Sequence, residues 1–351
     1  MRCLICFCLC LLALIPINAQ EKESYYLEMQ SRHAEENDYD ITFRRNYFEH
    51  IILRTELSSD ASRLQFLSGR AEELLNIRPA AEYNLGFSFH YKWLGIGFSF
   101  TPKFLLNTQN IEELNNSESL GLNFNFFYSD RWVQELGYSY YKGFFRAGPQ
   151  RLVDLGAVVL DDTNLKTIQG STFFIVNQNY SFRAHYVQTE RQLKSVGSVI
   201  PRLRYSYSFF EPNFENLPNL EKVVQINSLD ISAQIGYLYS LVYDQKWIVT
   251  LGLHPGIGYN YSVNQFDGAG LGSRTFHSTT LALDSEISVG YNDYRWFFGA
   301  AYNWRNYNYV NNQKNQFTRD FANFNIYLGY RFNDNKPMRN TLGWFEDNLG
   351  F

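Results

Sequence analysis

Hydrophobic and polar positions alternate along most of this chain. In Tyr83-Asn84-Leu85-Gly86-Phe87-Ser88-Phe89-His90-Tyr91, the odd positions are aromatic or Leu and the even positions are polar or Gly. Successive strand side chains point to opposite faces, so this segment has one apolar and one wet face. The same period returns in Leu94-Ile96-Phe98-Phe100, Leu120-Leu122-Phe124-Phe126-Tyr128 and Trp132-Leu136-Tyr138-Tyr140. It continues through 166–177, Tyr180-Phe182-Ala184-Tyr186, Val199-Leu203-Tyr205-Tyr207-Phe209 and Leu229-Ile231-Ala233-Ile235-Tyr237-Tyr239. The last such rows are Trp247-Val249-Leu251-Leu253, Leu281-Leu283-Ile287-Val289-Tyr291, Trp296-Phe298-Ala300-Tyr302-Trp304 and Phe324-Ile326-Leu328-Tyr330-Phe332. Upstream, 47–57 is a weaker strand with Ile51, Leu53 and Leu57 on one face, and 61–70 is a short return strand or part of a loop.

These runs exceed the about 5–6 residues usual in soluble sandwiches. They suit a tilted membrane strand of about 9–11 residues. The apolar rows tend to end in Tyr or Trp, as rings anchored at the two lipid–water interfaces do. The pattern predicts an all-β fold: a closed antiparallel transmembrane β-barrel of about 12 strands, with 14 as the alternative. Tight turns at 92–93, 129–130, 178–179, 244–245 and 292–293 alternate with long polar stretches at 107–117, 143–165, 261–275 and 307–317. Short turns belong on the periplasmic side and long loops outside. Counted from the two ends of the chain, however, the tight turns fall on opposite sides unless one crossing within 189–227 is misread. Twelve strands result if 180–210 crosses once with an external excursion and 47–57 is the first strand.

Composition narrows the setting. Residues 1–19 read as a signal peptide, with Arg2, an apolar run from Leu4 to Ile15 and a cut after Ala19. All four cysteines (Cys3, Cys6, Cys8, Cys10) lie inside it, so the mature chain gains no disulfide stability. Aromatic residues make up 18% of the chain although its mean hydropathy is −0.33, because interleaved polar and apolar positions cancel in an average. The net charge of −4 excludes a nucleic-acid partner. The predicted organisation is a signal peptide (1–19), a charged periplasmic lead-in (20–46), an outer-membrane barrel (47–332) and a C-terminal tail (333–351).

Candidate chemistry sits on the rows facing away from lipid. Arg202, Arg204, Asp230, Asp284 and Glu286 share the even parity, and Arg183, His185, Arg295, Arg305 and Arg331 have the non-lipid parity of their own segments. A charge facing lipid at the midplane costs roughly 2–4 kcal/mol, so these residues belong in the lumen. They form either a salt-bridge lattice that stiffens a narrow interior or a slightly basic selectivity constriction. His33, His50, His90, His185, His254 and His277 are too dispersed for metal-ligand spacing, so neither a metal nor another cofactor is expected. No catalytic residue is assigned, although a Ser-His-acid cluster assembled in space stays open. Gly95, Gly97, Gly252, Gly256, Gly258 and Gly290 share the inward parity, which provides curvature and room for large neighbours.

Asn177-Gln178-Asn179-Tyr180-Ser181-Phe182-Arg183-Ala184, Gln188-Thr189-Glu190-Arg191-Gln192 and Lys194-Ser195-Val196-Gly197-Ser198 carry a family resemblance. So do Asn76-Ile77-Arg78-Pro79, Leu85-Gly86-Phe87 and Tyr91-Lys92-Trp93-Leu94-Gly95. The sequence resembles the Bacteroidota exported proteins grouped as domain of unknown function 4421, over about 39–332. It departs from the pattern at Ala80, where Asn is expected, and at Val196, where Ala is expected. The resemblance implies an outer-membrane β-barrel and supplies no activity. It also marks 183–198, where the strand count fails, as an unusual connection that folds back into the lumen.

Three roles follow as expectations. The first is a structural barrel or a narrow passive channel for small solutes with a charged lumen. The second is an outer-leaflet lipid-modifying enzyme, and the third a surface binding or assembly protein acting through loops 143–165 and 261–275. The expected partners are outer-membrane lipid and the barrel-insertion machinery, the latter because Tyr330-Arg331-Phe332 resembles the signal closing many such barrels.

Overall fold

In a computed structural model, the structure describes residues 23–61, 63–67, 74–106, 116–146, 159–213, 223–266, 272–310 and 317–334. The expected signal peptide and almost all of the tail lie outside the described residues, as do the centres of the long connections.

The chain enters through helix α1 (Glu23–Glu36) in the stretch where the sequence shows no clear period. Strands β1 (Arg44–Asn46) and β2 (His50–Asp60) follow. Next come β3 (Arg63–Leu67), β4 (Leu74–Pro79), β5 (Tyr83–Tyr91), β6 (Leu94–Phe100), β7 (Glu118–Phe127), β8 (Trp132–Arg146) and β9 (Val159–Phe174). A short helix α2 (Phe182–Tyr186) and strand β10 (Glu190–Gln192) precede β11 (Val196–Glu211). The rest is β12 (Val223–Tyr243), β13 (Trp247–Phe266), β14 (Ser273–Asn292), β15 (Trp296–Val310) and β16 (Phe317–Asn333).

Strands β2, β5 to β9 and β11 to β16 form a closed antiparallel barrel of twelve, completed where β16 pairs β2. The wall obeys the two-residue period. Along β12, Ile231, Ile235, Tyr237, Tyr239 and Leu241 are exposed while Ser232, Gln234, Leu238 and Ser240 are buried in the interior. The outward apolar rows form the face a bilayer requires, and closure leaves no unpaired edge.

The strand count resolves at one place. Tyr180-Phe182-Ala184-Tyr186 has strand-like alternation but forms no strand, and the turn at 178–179, where the Tyr180 amide donates to the Asn177 carbonyl (3.1 Å), joins no hairpin. It belongs to an insert, residues 175–195, that joins β9 to β11 at the turn end. The misread crossing is therefore 180–186, just before the suspected interval. Phe182, Ala184, Val187 and Glu190 are buried, so the excursion enters the lumen instead of leaving the barrel. With that segment removed from the count, all tight turns and both barrel termini share one end.

A second departure lies at the loop end. β3 pairs β16, β4 pairs β3, and β4 then pairs β8 through Ile77↔Arg146 and Pro79↔Phe144. This hairpin occupies part of the 61–70 stretch and spans the gap above the short strands β2, β5, β6 and β7. Beyond them the wall continues as a ring of ten strands. Strand β8 changes partner at Gly143, pairing β7 up to Lys142 and β4 from Phe144. Gly143 has φ +82°, and a Cβ there would stand 2.3 Å from Ser117 Oγ, so both conformation and space require glycine. Strands also run into 143–165 and 261–275, stretches read as loops: β8 reaches Arg146 and β13 reaches Phe266. In the ten-stranded storey, Ile77, Phe144, Leu160, Leu165, Phe210 and Ile226 form a buried apolar cluster.

Candidate functional site: the lumen and its insert

The insert is held by its own sequence and by the wall. Ser181 caps α2 by accepting from the Ala184 amide, so five residues complete a helical turn. The backbone then passes through Gln188 at φ +56°, a left-handed position for a non-glycine residue. β10 pairs with β1, matching Arg44 to Gln192 and Asn46 to Glu190. The lead-in thus supplies the second strand of a small sheet at the turn end. Phe182, Tyr180 and Val187 pack with Phe127, Val133, Phe173, Ile200 and Leu238 of the wall.

Polar anchors reach the insert from around the circumference. Arg54 of β2 donates to the Tyr186 carbonyl (2.9 Å), and Arg183 donates to the Lys92 carbonyl in the β5–β6 turn (2.7 Å). Asn292 of β14 donates to the carbonyls of Ala184 (3.4 Å) and Glu190 (3.1 Å). Arg331 of β16, fully buried, donates to the Gln188 carbonyl (2.7 Å) and stacks 4.0 Å over the Tyr47 ring.

The densest charges surround Glu190, whose carboxylate is fully buried. Arg44 donates to it through Nε (3.0 Å) and Nη2 (2.7 Å), and its Nη2 also reaches Asp130 Oδ2 (2.9 Å) in the β7–β8 turn. Its Nη1 donates to the Gln178 carbonyl (2.8 Å). Burial pushes the Asp130 carboxyl up, but Arg44 and His33, 3.1 Å away, outweigh it and hold the group well below the ordinary carboxylate range. Burial lowers the Arg183 guanidinium against the pull of Asp130 and Glu190. His33, Asp130 and Glu190 bring three donor atoms within 4.8 Å, a spacing that could hold a metal. Arg44 already bonds both carboxylates, however, and its charge opposes a second cation there.

Above the insert lies a lumenal cavity of about 260 Å³. Arg202, Arg204, Asp284, Glu286 and Arg305 all line it, joined by Arg54, Glu56 and Glu135, which the even-row reasoning did not single out. Asp284 Oδ2 is 3.2 Å from Arg204 and 3.8 Å from Arg202, while Glu286 meets His185 at 3.4 Å. Asp230 lines a smaller adjoining cavity, where it accepts from Asn260 (2.7 Å) and Tyr309 (3.0 Å). The other candidates lie elsewhere. Arg183 is on the insert instead of a strand face, Arg331 braces the insert, and Arg295, in the β14–β15 turn, donates to the Arg331 carbonyl. Arg44, Asp130 and Glu190 escaped the sequence reading, since Arg44 sits in the aperiodic lead-in and its partners are distant in sequence.

Inward glycines make space for these side chains. A Cβ at Gly95 would stand 2.4 Å from His90 Nδ1, and one at Gly252 would stand 2.6 Å from Glu286 Cγ. Among the described residues the histidines have separate partners. His90 meets Ser88, His185 meets Glu286 and Tyr180, and His277 meets Tyr259.

The family model described as domain of unknown function (DUF4421) matches residues 38–332. The chain belongs to this family. The match spans the lead-in strand, the insert and the whole barrel. No curated protein matches the sequence. Among solved structures, the chain is similar to the translocator domain of autotransporter NalP from Neisseria meningitidis, with 12% identity and TM-score 0.41. That alignment covers 89% of this chain and 98% of the other. It is also similar to the outer membrane protease OmpT from Escherichia coli, with 9% identity, TM-score 0.37 and 82% and 98% coverage. The transport unit of the autotransporter AIDA-I from Escherichia coli gives 10%, 0.37, 88% and 98%.

Proposed function

We propose that this family member is an outer-membrane β-barrel whose charged lumen is held closed at the periplasmic end, a closed channel instead of a standing pore. The turn end faces the periplasm in this reading, as short turns do in bacterial barrels, and assembly uses the barrel-insertion machinery. About eight strands leave an interior just filled by side chains and 16–18 leave a water channel, so twelve need an additional element to close them. The observation supporting closure is the placement of residues 175–195, with anchors on β2, the β5–β6 turn, the β7–β8 turn, β14 and β16. A free-diffusion pore would not keep an ion pair of full burial at its turn end, because the desolvation cost brings no return in conduction. Purified protein in planar bilayers is expected to give no conductance steps. A variant with residues 177–193 replaced by a short Gly-Ser bridge is expected to conduct. Equal conductance of the two would overturn the reading.

A further inference from the structure

The lumen carries more than a closure. We propose that its cavity binds a small hydroxylated carboxylate of monosaccharide size, a sugar acid, with Arg305 and Arg204 taking the carboxylate.

Arg204 and Arg305 line both the 260 Å³ cavity and the smaller one of about 20 Å³ beside it, so they form the neck between the two. Asp284 is the shared counter-charge: Arg202 and Arg204 approach one of its oxygens, and Arg305 is its register partner on β15. Glu135 also lies near Arg202 and Arg204, and Glu286 near Arg202, so carboxylates offset the guanidinium charge here. Asp284 Oδ2 engages one Arg204 nitrogen at 3.2 Å and lies 3.8 Å from Arg202, which leaves the other guanidinium nitrogens of both for a ligand. The Nε atoms of Arg202 and Arg204 are buried without partners, and Arg305 makes no ion pair among the described residues. Buried donors left unpartnered cost free energy, which a bound carboxylate would recover through charge-assisted, bidentate hydrogen bonds.

The other acids have partners of their own as well. Glu56 pairs with Arg54, Glu286 faces His185, and Glu135 accepts from the Ser171 hydroxyl at 2.6 Å. Asp230, at the smaller cavity, is hydrogen-bonded to Asn260 and Tyr309. The cavity as a whole therefore balances four arginines with four acids, so a ligand carboxylate is taken by the unpartnered donors and not by a net charge.

The rest of the lining suits hydroxyl groups. Asn123, Asn125, Asn303, Asn323 and Asn325 face the cavity, and each carboxamide offers donors and an acceptor. Asn325 Oδ1 and His254 Nε2 are buried and unpartnered, the latter on a ring only 1% exposed. Pockets for drug-sized ligands span about 300–1,000 Å³. This cavity is below that range, which limits the ligand to a single sugar-sized unit.

The inference rests on the closed-barrel reading only in that Phe182, His185 and Tyr186 of the insert form part of the cavity wall. Binding and conduction are separate readouts, so failure of one is distinguishable from failure of the other. The experiment is calorimetric titration of the purified full-length protein in detergent, with sodium gluconate as the probe and glucose, acetate and glycine as comparators. Saturable gluconate binding is expected, tighter than each comparator by at least about tenfold. Arg305→Gln is expected to weaken gluconate binding by about tenfold while keeping the heat-modifiable migration of a folded barrel. The proposal is overturned if gluconate binds no more tightly than glucose, if glycine binds in its place, or if folded Arg305→Gln binds gluconate as the wild type does. Should Arg305→Gln fail to fold, the comparison of gluconate with glucose on the wild type decides alone.

Discussion

Arg44→Met is the most direct test of what keeps the insert in place. Methionine keeps an unbranched stem and removes every donor. The substitution deletes the bonds to Glu190, Asp130 and the Gln178 carbonyl together. It leaves two buried carboxylates, with the Ser181 hydroxyl (2.5 Å) and Arg183 Nε (3.8 Å) at Glu190 and His33 3.1 Å from Asp130 as the remaining partners. Removing one partner of a buried ion pair costs about 3–5 kcal/mol, mostly the penalty of an uncompensated buried charge. That cost falls on the closed state, because displacing the insert returns Glu190 to water. At about 1.4 kcal/mol per factor of ten, the displaced population should rise by about two to three and a half orders of magnitude. Open probability in planar bilayers measures it, with protease cleavage within 175–195 as a second readout. Adding Glu190→Gln removes one of the orphaned charges, so the double variant should open less often than Arg44→Met alone. A folded Arg44→Met barrel that conducts and resists protease like the wild type would refute the argument.

Acid should loosen the same lock. Asp130 is held below its ordinary value of 3.8 in the fold, so its contribution is present above that value and is lost as pH falls through the folded one. Asp130 thus predicts unchanged closure between pH 5 and 8 and channel opening only below about pH 4, read as conductance against pH. Ile235 is 67% exposed on the lipid face of β12, and Ile235→Arg is expected to cost roughly 2–4 kcal/mol in a denaturant titration in lipid vesicles. A Cβ at Gly236 would stand 1.9 Å from the buried His254 ring, so Gly236→Ala should cost about 1–3 kcal/mol, seen as a lower temperature for loss of the folded band on gels.

The two-residue period made the lipid coat legible because it records a solvent on each face. Ile231 and Ile235 meet lipid and Ser232 and Gln234 meet the lumen, and that contrast needs no knowledge of partners. The same rule misread Tyr180-Phe182-Ala184-Tyr186, where alternation coincides with a short helix packed against Phe173 and Val133. A buried insert has apolar contacts on more than one side, so local periodicity carries no information about its conformation. The parity conflict nevertheless placed a fault next to that segment. The ten-stranded storey was not legible either. Its wall continues where both faces are mixed, and Ile77 and Phe144 put apolar groups inside. Among the candidate charges, parity brought Arg202, Arg204, Asp284, Glu286 and Arg305 to one cavity. It could not connect Arg44 with Glu190, a pairing fixed by how the lead-in folds beneath the barrel.

The wall around the insert determines what opening must cost. β9 and β11 pair directly from Phe173↔Arg202 through Asn164↔Glu211, so the sheet stays closed above the point where the insert leaves it. Displacing 175–195 consequently breaks no wall ladder. It breaks the pairing of β1 with β10, the anchors from Arg54, Asn292 and Arg331, and the apolar packing of Phe182 and Val187. Opening is therefore a local equilibrium set by side chains that do not hold the barrel together, in keeping with the range of local stabilities within one fold. Two consequences follow from that separation. Substitutions on the lipid face should change barrel stability while leaving closure intact, and substitutions at Arg44 or Asn292 should do the reverse. A ligand in the cavity contacts Phe182, His185 and Tyr186 as well as the wall, so it binds the closed state preferentially and holds the insert in place.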